Sequence, residues 1–152
     1  MSDITLDGVR EFKFSVLGLA RVEDAIKGLS EIQKNKAIIS GYRAMGSVFI
    51  AGGKQRLRSR LSGKGKGNLI KSFKIRVKRD NGGVLVGFNK RGHIAHIVDM
   101  GTVQRYTRHG HLNRGKMPAN NFWHETAEQD FPKAAEKLFT GIETAVKRII
   151  YK

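Results

Sequence analysis

The sequence contains no cysteine, which excludes a disulfide framework and every thiolate metal site. Acids are scarce: 13 Asp and Glu stand against 29 Lys and Arg, for a formal net charge of +16. There are only two prolines and one tryptophan. No apolar run approaches the roughly 18 residues of a membrane span; the cluster Val48–Ala51 is bounded by Ser47 and Gly52. Met1–Thr5 offer neither a basic nor an apolar stretch, so no secretory signal is expected. With 152 residues and 39% hydrophobic content, the chain is expected to form a single domain over residues 1–152 whose core needs no staple.

So strong a positive charge favours polyanionic partners: nucleic acid, an anionic membrane or an acidic protein. It is also localised. Between Lys54 and Arg91 a dense run of lysines and arginines meets one acid, Asp80, whereas both ends of the chain are more balanced. The plain reading of such a run is a solvated face.

In chain order, Phe12, Phe14 and Val16 alternate, which predicts a strand over 11–17, followed by a short helix over 22–28. Ser30 is a suitable N-cap for a long helix from Glu31 to about Leu61, with Ile38, Tyr42, Met45 and Phe49 on one face. Gly41 and Gly46 suggest a close helix crossing, and Gly52-Gly53 a bend. Arg56, Arg58 and Arg60 suit the C-terminal end of the helix dipole. Residues 62–67 (Ser-Gly-Lys-Gly-Lys-Gly) read as a mobile loop, without Walker spacing. Leu69–Arg79 and Val84–Phe88 alternate around a turn signal at Asp80–Gly83 and predict a hairpin, apolar on one face and basic on the other. Ile94–Met100 predicts a helical turn or strand, and 103–116 a long mobile surface loop. Asn120 is a candidate cap for a short helix through Phe122–Ala127. Asp130 is a candidate cap for the last helix, whose stripe runs Phe131, Leu138, Ile142, Ile149. The expected fold class is α+β: a small, mainly antiparallel sheet packed by a long N-terminal helix and a C-terminal helix.

Four of the five histidines fall within residues 93–111. His93 and His96 could share a helical turn, and His111 with Asn113 faintly resembles a histidine–asparagine nuclease motif. A small metal-dependent nuclease is therefore one reading. Against it, Asp99 and Glu125 are the only carboxylates from Arg91 to Thr126, and the histidines lack ligand spacing. Neither a Gly-x-Ser-x-Gly motif nor a carboxylate pair stands out. Trp123 beside Phe122 reads more readily as a core anchor than as a base-stacking platform. No catalytic, cofactor or metal residue is assigned.

Three patches occur in order: Gly67-Asn-Leu-Ile-Lys-Ser72, Ala95-His-Ile-Val-Asp-Met-Gly-Thr102 and Pro118-Ala-Asn-Asn-Phe-Trp123. A long helix precedes them, a hairpin separates the first two, a variable loop the last two, and a helix follows. This arrangement resembles the tail-completion, or head–tail joining (neck), protein family of long-tailed double-stranded DNA phages and prophages, over roughly residues 10–150. The chain departs from the family pattern at Asp99, where glutamate is commoner, and at Asn121, where proline is.

The resemblance implies a virion structural protein rather than an enzyme, with no cofactor and no membrane contact. It would be assembled in the host bacterial cytoplasm as a homo-oligomeric, commonly sixfold, ring. That ring would lie between the head connector or adaptor and the tail tube or tail terminator. Subunit and partner contacts would then fall on Asp99, Gly101 and Thr102, and on Arg105, Tyr106, Arg108 and Arg114 of the following loop. Asp99 could receive an arginine from its own or the next subunit, and Gly101 could adopt a backbone conformation closed to other residues; an ordinary turn would use both equally well. Lys64, Lys66, Lys71, Lys74, Arg76 and Lys78 would face passing double-stranded DNA or an acidic partner. The rival to the ring is a basic, non-specific nucleic-acid-binding protein acting as a monomer or dimer.

Overall fold

A computed structural model describes residues 16–61, 66–78, 83–110 and 112–151. In chain order these form α1 (Val16–Ile26), α2 (Glu31–Arg60), α3 (Lys66–Lys71), β1 (Phe73–Val77), β2 (Val84–Phe88) and a 3-10 turn (Lys90–Gly92). Then come α4 (Ala95–Met100), β3 (Arg105–Tyr106), β4 (Asn113–Gly115), α5 (Phe122–Gln129) and α6 (Phe131–Ile150). The class is α+β, as expected. None of the described helices is long and apolar enough to cross a membrane.

Helix α2 starts where the sequence provides a reciprocal cap. Ser30 Oγ accepts from Gln33 N–H while Gln33 Oε1 accepts from Ser30 N–H, satisfying two donors that the first turn leaves open. The face it buries is not the apolar stripe. Ile38, Tyr42, Met45 and Phe49 are half-buried, and the fully buried positions are Ala37, Gly41, Gly46, Gly53 and Leu57. The cause is close approach. A Cβ on Gly41 would lie 2.5 Å from Ile142 Cγ1 and 2.8 Å from the Leu138 carbonyl oxygen on α6. One on Gly141 would lie 2.8 Å from Ala44 Cβ. Gly46 seats Ile75, and Gly53 seats the Phe73 ring and Trp123. Gly52 makes room for the Asp130 carboxylate. The helix runs unbroken through Gly52-Gly53, and this pair clears space for neighbours.

Two cores sit at opposite ends of α2. At its N-terminal half, Val22 of α1, Ala37, and Ile142 and Val146 of α6 pack with Ile26, Leu29, Leu138 and Phe139. At its C-terminal half, Leu57 meets Leu69, Phe73, Ala95, Val98 and Phe122, with Phe88, Met117 and Trp123 around them. The second core is aromatic: Phe73 and Phe88 centroids are 4.7 Å apart, and Trp123 meets Phe88 edge-on at 5.2 Å, a favoured ring geometry. Trp123 is thus the anchor its sequence context suggests.

Several sequence expectations are corrected. Val16 and Leu17 begin α1 rather than ending a strand, and the rest of that predicted strand lies outside the described residues. Residues 66–71 are helical, so Lys66 and Gly67 belong to α3 and not to a loop; residues 62–65 lie outside the described set. The strand begins only at Phe73, because Ser72 ends the helix: its buried hydroxyl donates to Leu69 O at 2.6 Å. Asn89 N–H then donates to Ser72 O at 2.8 Å, which continues the antiparallel ladder of β1 and β2 (Phe73 opposite Phe88, Ile75 opposite Val86, Val77 opposite Val84). Residues 95–100 are a helix.

The glycine crossing predicts a clear mutational contrast. Gly41→Ala should destabilise by about 1–3 kcal/mol through overpacking, seen as a lowered thermal midpoint. Gly67→Ala, whose added methyl would meet open space, should leave the midpoint unchanged or raise it slightly.

Candidate functional site: a clasp, an arm and a basic hairpin

The stretch that carries most of the candidate residues folds back on itself. Asp99, at the C-terminal end of α4, accepts on Oδ1 from Trp123 N–H at 2.6 Å and from His124 N–H at 3.4 Å. Its carbonyl oxygen accepts from the N–H groups of Asn120 and Asn121 at 3.0 and 2.9 Å. Asp99 is therefore the N-terminal cap of α5, supplied from 24 residues upstream. A carboxylate is favoured there by both hydrogen bonding and the helix dipole. The expected local cap, Asn120, does not serve: the cap position is Asn121, in the left-handed region at φ 55°, and its side chain makes no capping bond. Within the chain, the Asp99 carboxylate is engaged through Oδ1 by these backbone donors.

Gly101 has φ 75° and ψ −168°, a conformation side chains resist. A Cβ there would also lie 2.6 Å from Met117 O and 2.7 Å from Ala119 N. Thr102 N–H donates to Met117 O, and Met117 N–H donates to Thr102 Oγ1, both at 2.9 Å. Asp99, Gly101 and Thr102 thus form an internal clasp with 117–124.

Beyond the clasp, 103–116 is an arm with strand pairing rather than a structureless loop. Arg105 pairs with Gly115 and Tyr106 with Asn113, with a register shift between them. At the tip, Thr107 N–H donates to Leu112 O at 3.0 Å, and Thr107 Oγ1 accepts from Leu112 N–H at 3.0 Å. The strands of the arm pack chiefly on one another. Val103 is 84% exposed, Leu112 66%, Tyr106 60%, and Met100 at the arm's base 76%. Arg105, Arg108, Arg114 and Lys116 are exposed as well.

The remaining candidates lie on the hairpin. Lys74, Arg76 and Lys78 are exposed on one face of β1, while Phe73, Ile75 and Val77 turn towards α2. Lys71 is exposed at the end of α3, Lys66 opens that helix, and Lys64 lies outside the described residues. His93, His96, His109 and His124 are exposed. Among the described residues no three His, Asp or Glu side chains converge to hold a metal.

The arginines of α2 have roles that the local sequence does not disclose. Arg56 Nη1 lies 2.6 Å from Asp130 Oδ2 and 3.1 Å from Thr126 Oγ1, and Nη2 lies 2.9 Å from Gln129 Oε1. Asp130 holds the expected N-cap position of α6, but its carboxylate makes no capping bond there and serves Arg56 instead. Arg60 forms a two-pronged pair with Glu125 and donates to Asn120 O at 2.9 Å. These bridges fasten α2 to the segment the clasp orients. Hydrogen bonding from Arg60 lowers the Glu125 carboxyl below its ordinary range and raises Arg60. The signal in the sequence is only an Arg-x-x-x-Arg pair and an acid pair five apart, which nothing local connects.

Two outcomes are expected. Gly101→Ala should cost more than Asp99→Ala in chemical denaturation, since loss of a cap costs about 0.5–2 kcal/mol while the glycine change adds backbone strain to a clash. Glu125 titrates lower in the folded chain than in the unfolded one, so the stabilisation from its pairing is complete above the ordinary carboxylate range and fades as pH falls through the lowered folded value. The difference in melting temperature between parent and Glu125→Gln should therefore shrink on acidification, and a difference that grows would contradict the pairing. No family model, curated protein or solved structure matches this chain.

Proposed function

We propose that this protein is a structural subunit of a phage-type head–tail junction, assembled as a homo-oligomeric ring that links the head connector to the tail tube or tail terminator. The observation that supports this reading best is the arm. Its base is held by backbone hydrogen bonds and a glycine that no other residue can replace cheaply, so its direction is fixed. Beyond that base it displays Val103, Tyr106 and Leu112 to solvent. Ordering such a projection with apolar side chains outward stabilises nothing within one chain, and exposed apolar clusters rimmed by charge mark association surfaces. The order of three sequence patches, a hairpin and a terminal helix points to the same family. In this reading Arg105, Tyr106, Arg108 and Arg114 make the contact between subunits, and Asp99, Gly101 and Thr102 aim it.

Analytical ultracentrifugation with negative-stain imaging tests the proposal. The parent chain is expected to form rings as its concentration rises. Replacing residues 104–114 by a short glycine linker should leave a folded monomer. Tyr106→Asp with Leu112→Asp should weaken association at least tenfold, since burying each such side chain contributes about 1.5–3 kcal/mol, while the melting temperature stays close to the parent's. A parent chain that remains monomeric throughout, with no ring in the images, would sink the reading.

A further inference from the structure

The solvent face of the β1–β2 hairpin has a feature that neither packing nor assembly by the arm explains. Opposite the cation Lys74 on the neighbouring strand lies Gly87. It sits inside a strand, where glycine weakens the pairing. Its φ is not in the left-handed region, and a Cβ there would meet nothing within 4 Å. Neither backbone conformation nor crowding requires a glycine. With no bulge in the register here, close approach of a ligand or another backbone is a remaining reason for a strand glycine. Opposite Arg76 lies Leu85, and Lys78 N–H bonds to Gly83 O. The face is thus open at the Gly87 end, carries the half-exposed Leu85 beside Arg76, and is crossed by the row Lys74, Arg76 and Lys78.

The charge around this face is one-sided. Lys71, Lys90 and Arg91 are exposed at the hairpin's base, where α3 packs on the 3-10 turn. Between residues 61 and 124 the only acids are Asp80 and Asp99. Asp99 is committed to the backbone of α5, and Asp80 lies outside the described residues. Lysine-rich surfaces without an aromatic anchor are unlike the centres of protein–protein interfaces, which are depleted in lysine and built on buried apolar side chains. They are what a phosphate backbone needs.

We propose that the outer face of the hairpin, with the row Lys74, Arg76 and Lys78 and with Gly87 opposite Lys74, binds the phosphodiester backbone of nucleic acid without reading its bases. Gly87 lets the backbone lie against the strand, and the three cations neutralise phosphates along it. The site does not depend on ring formation, and it would work in the monomeric arm variant.

The test is fluorescence anisotropy of the full chain with labelled random-sequence duplex DNA, duplex RNA and single-stranded DNA, from about 50 to 200 mM salt. Binding to any of these should fall steeply with salt, and the preferred form identifies the natural partner. Lys74→Glu, Arg76→Glu and Lys78→Glu together should weaken binding at least tenfold at the low-salt end and reduce the log–log salt slope by about 2.7, near 0.9 for each phosphate no longer neutralised. The control reverses Lys133, Lys137 and Lys147 on α6, which changes net charge equally; it should weaken binding far less. Gly87→Val should keep or raise the melting temperature and still weaken binding. Three results would overturn the proposal: equal losses from the two triple variants, Gly87→Val binding as tightly as the parent, or poly-glutamate competing as well as nucleic acid at matched charge.

Discussion

Everything in this fold hangs on the contact between α2 and α6 at Gly41 and Gly141. With no side chain on either glycine, the two helix backbones come close enough for Ala44 and Ile142 to fill the seam. The approach turns α2 into a shared wall for two separate cores, one with α1 and α6 and one with the hairpin, α4 and α5. Dispersion is short-ranged, so a methyl at this crossing would push apart surfaces that both cores share. Helical glycines cost about 1 kcal/mol each relative to alanine, and here that cost is offset by packing at Gly41, Gly46 and Gly53.

Polar contacts add what packing alone lacks, which is direction. The bridges from Arg56 and Arg60 tie the C-terminal half of α2 to α5 and the start of α6. Asp99 holds the other side of α5 by capping it. Between these fastenings the chain leaves the body at Thr102 and returns at Met117, with the arm projecting from a rigid base. A projection meant for a partner needs such a base, because contacts made by a loosely held segment must first offset its ordering entropy. The proposed assembly surface on the arm and the proposed backbone-binding face on the hairpin are chemically distinct: one is apolar with arginines, the other lysine-rich and open.

Much of the scaffold is legible in local sequence. Ser30 with Gln33 signals the start of α2, and Pro132 marks the first turn of α6. The alternation from Phe73 with the turn signal after Val77 announces the hairpin. Local signals fail where the deciding partner is remote. Asp99 reads as a turn or arginine-pairing acid, and its true partners are donors 24 residues on. Asp130 reads as a helix cap and holds that position, yet its carboxylate is taken by Arg56 from 74 residues away. Gly52-Gly53 reads as a bend, and only the Asp130 carboxylate and the Phe73 ring reveal why it is there.

The sequence by itself determined the fold class, the strong positive charge and the periodicities that place most of the helices and the hairpin, because these depend on composition and on neighbours within a few residues. Tertiary structure alone decided which face of α2 is buried, which acids are internal and that residues 103–116 form an arm. Those outcomes depend on distances between segments far apart in the chain, and no local period encodes them. The stretch from His93 to Trp123 shows both sides of this division. Its histidines and lone acid suggest chemistry when read in line, and the fold assigns that acid to holding a helix and Gly101 to aiming an arm.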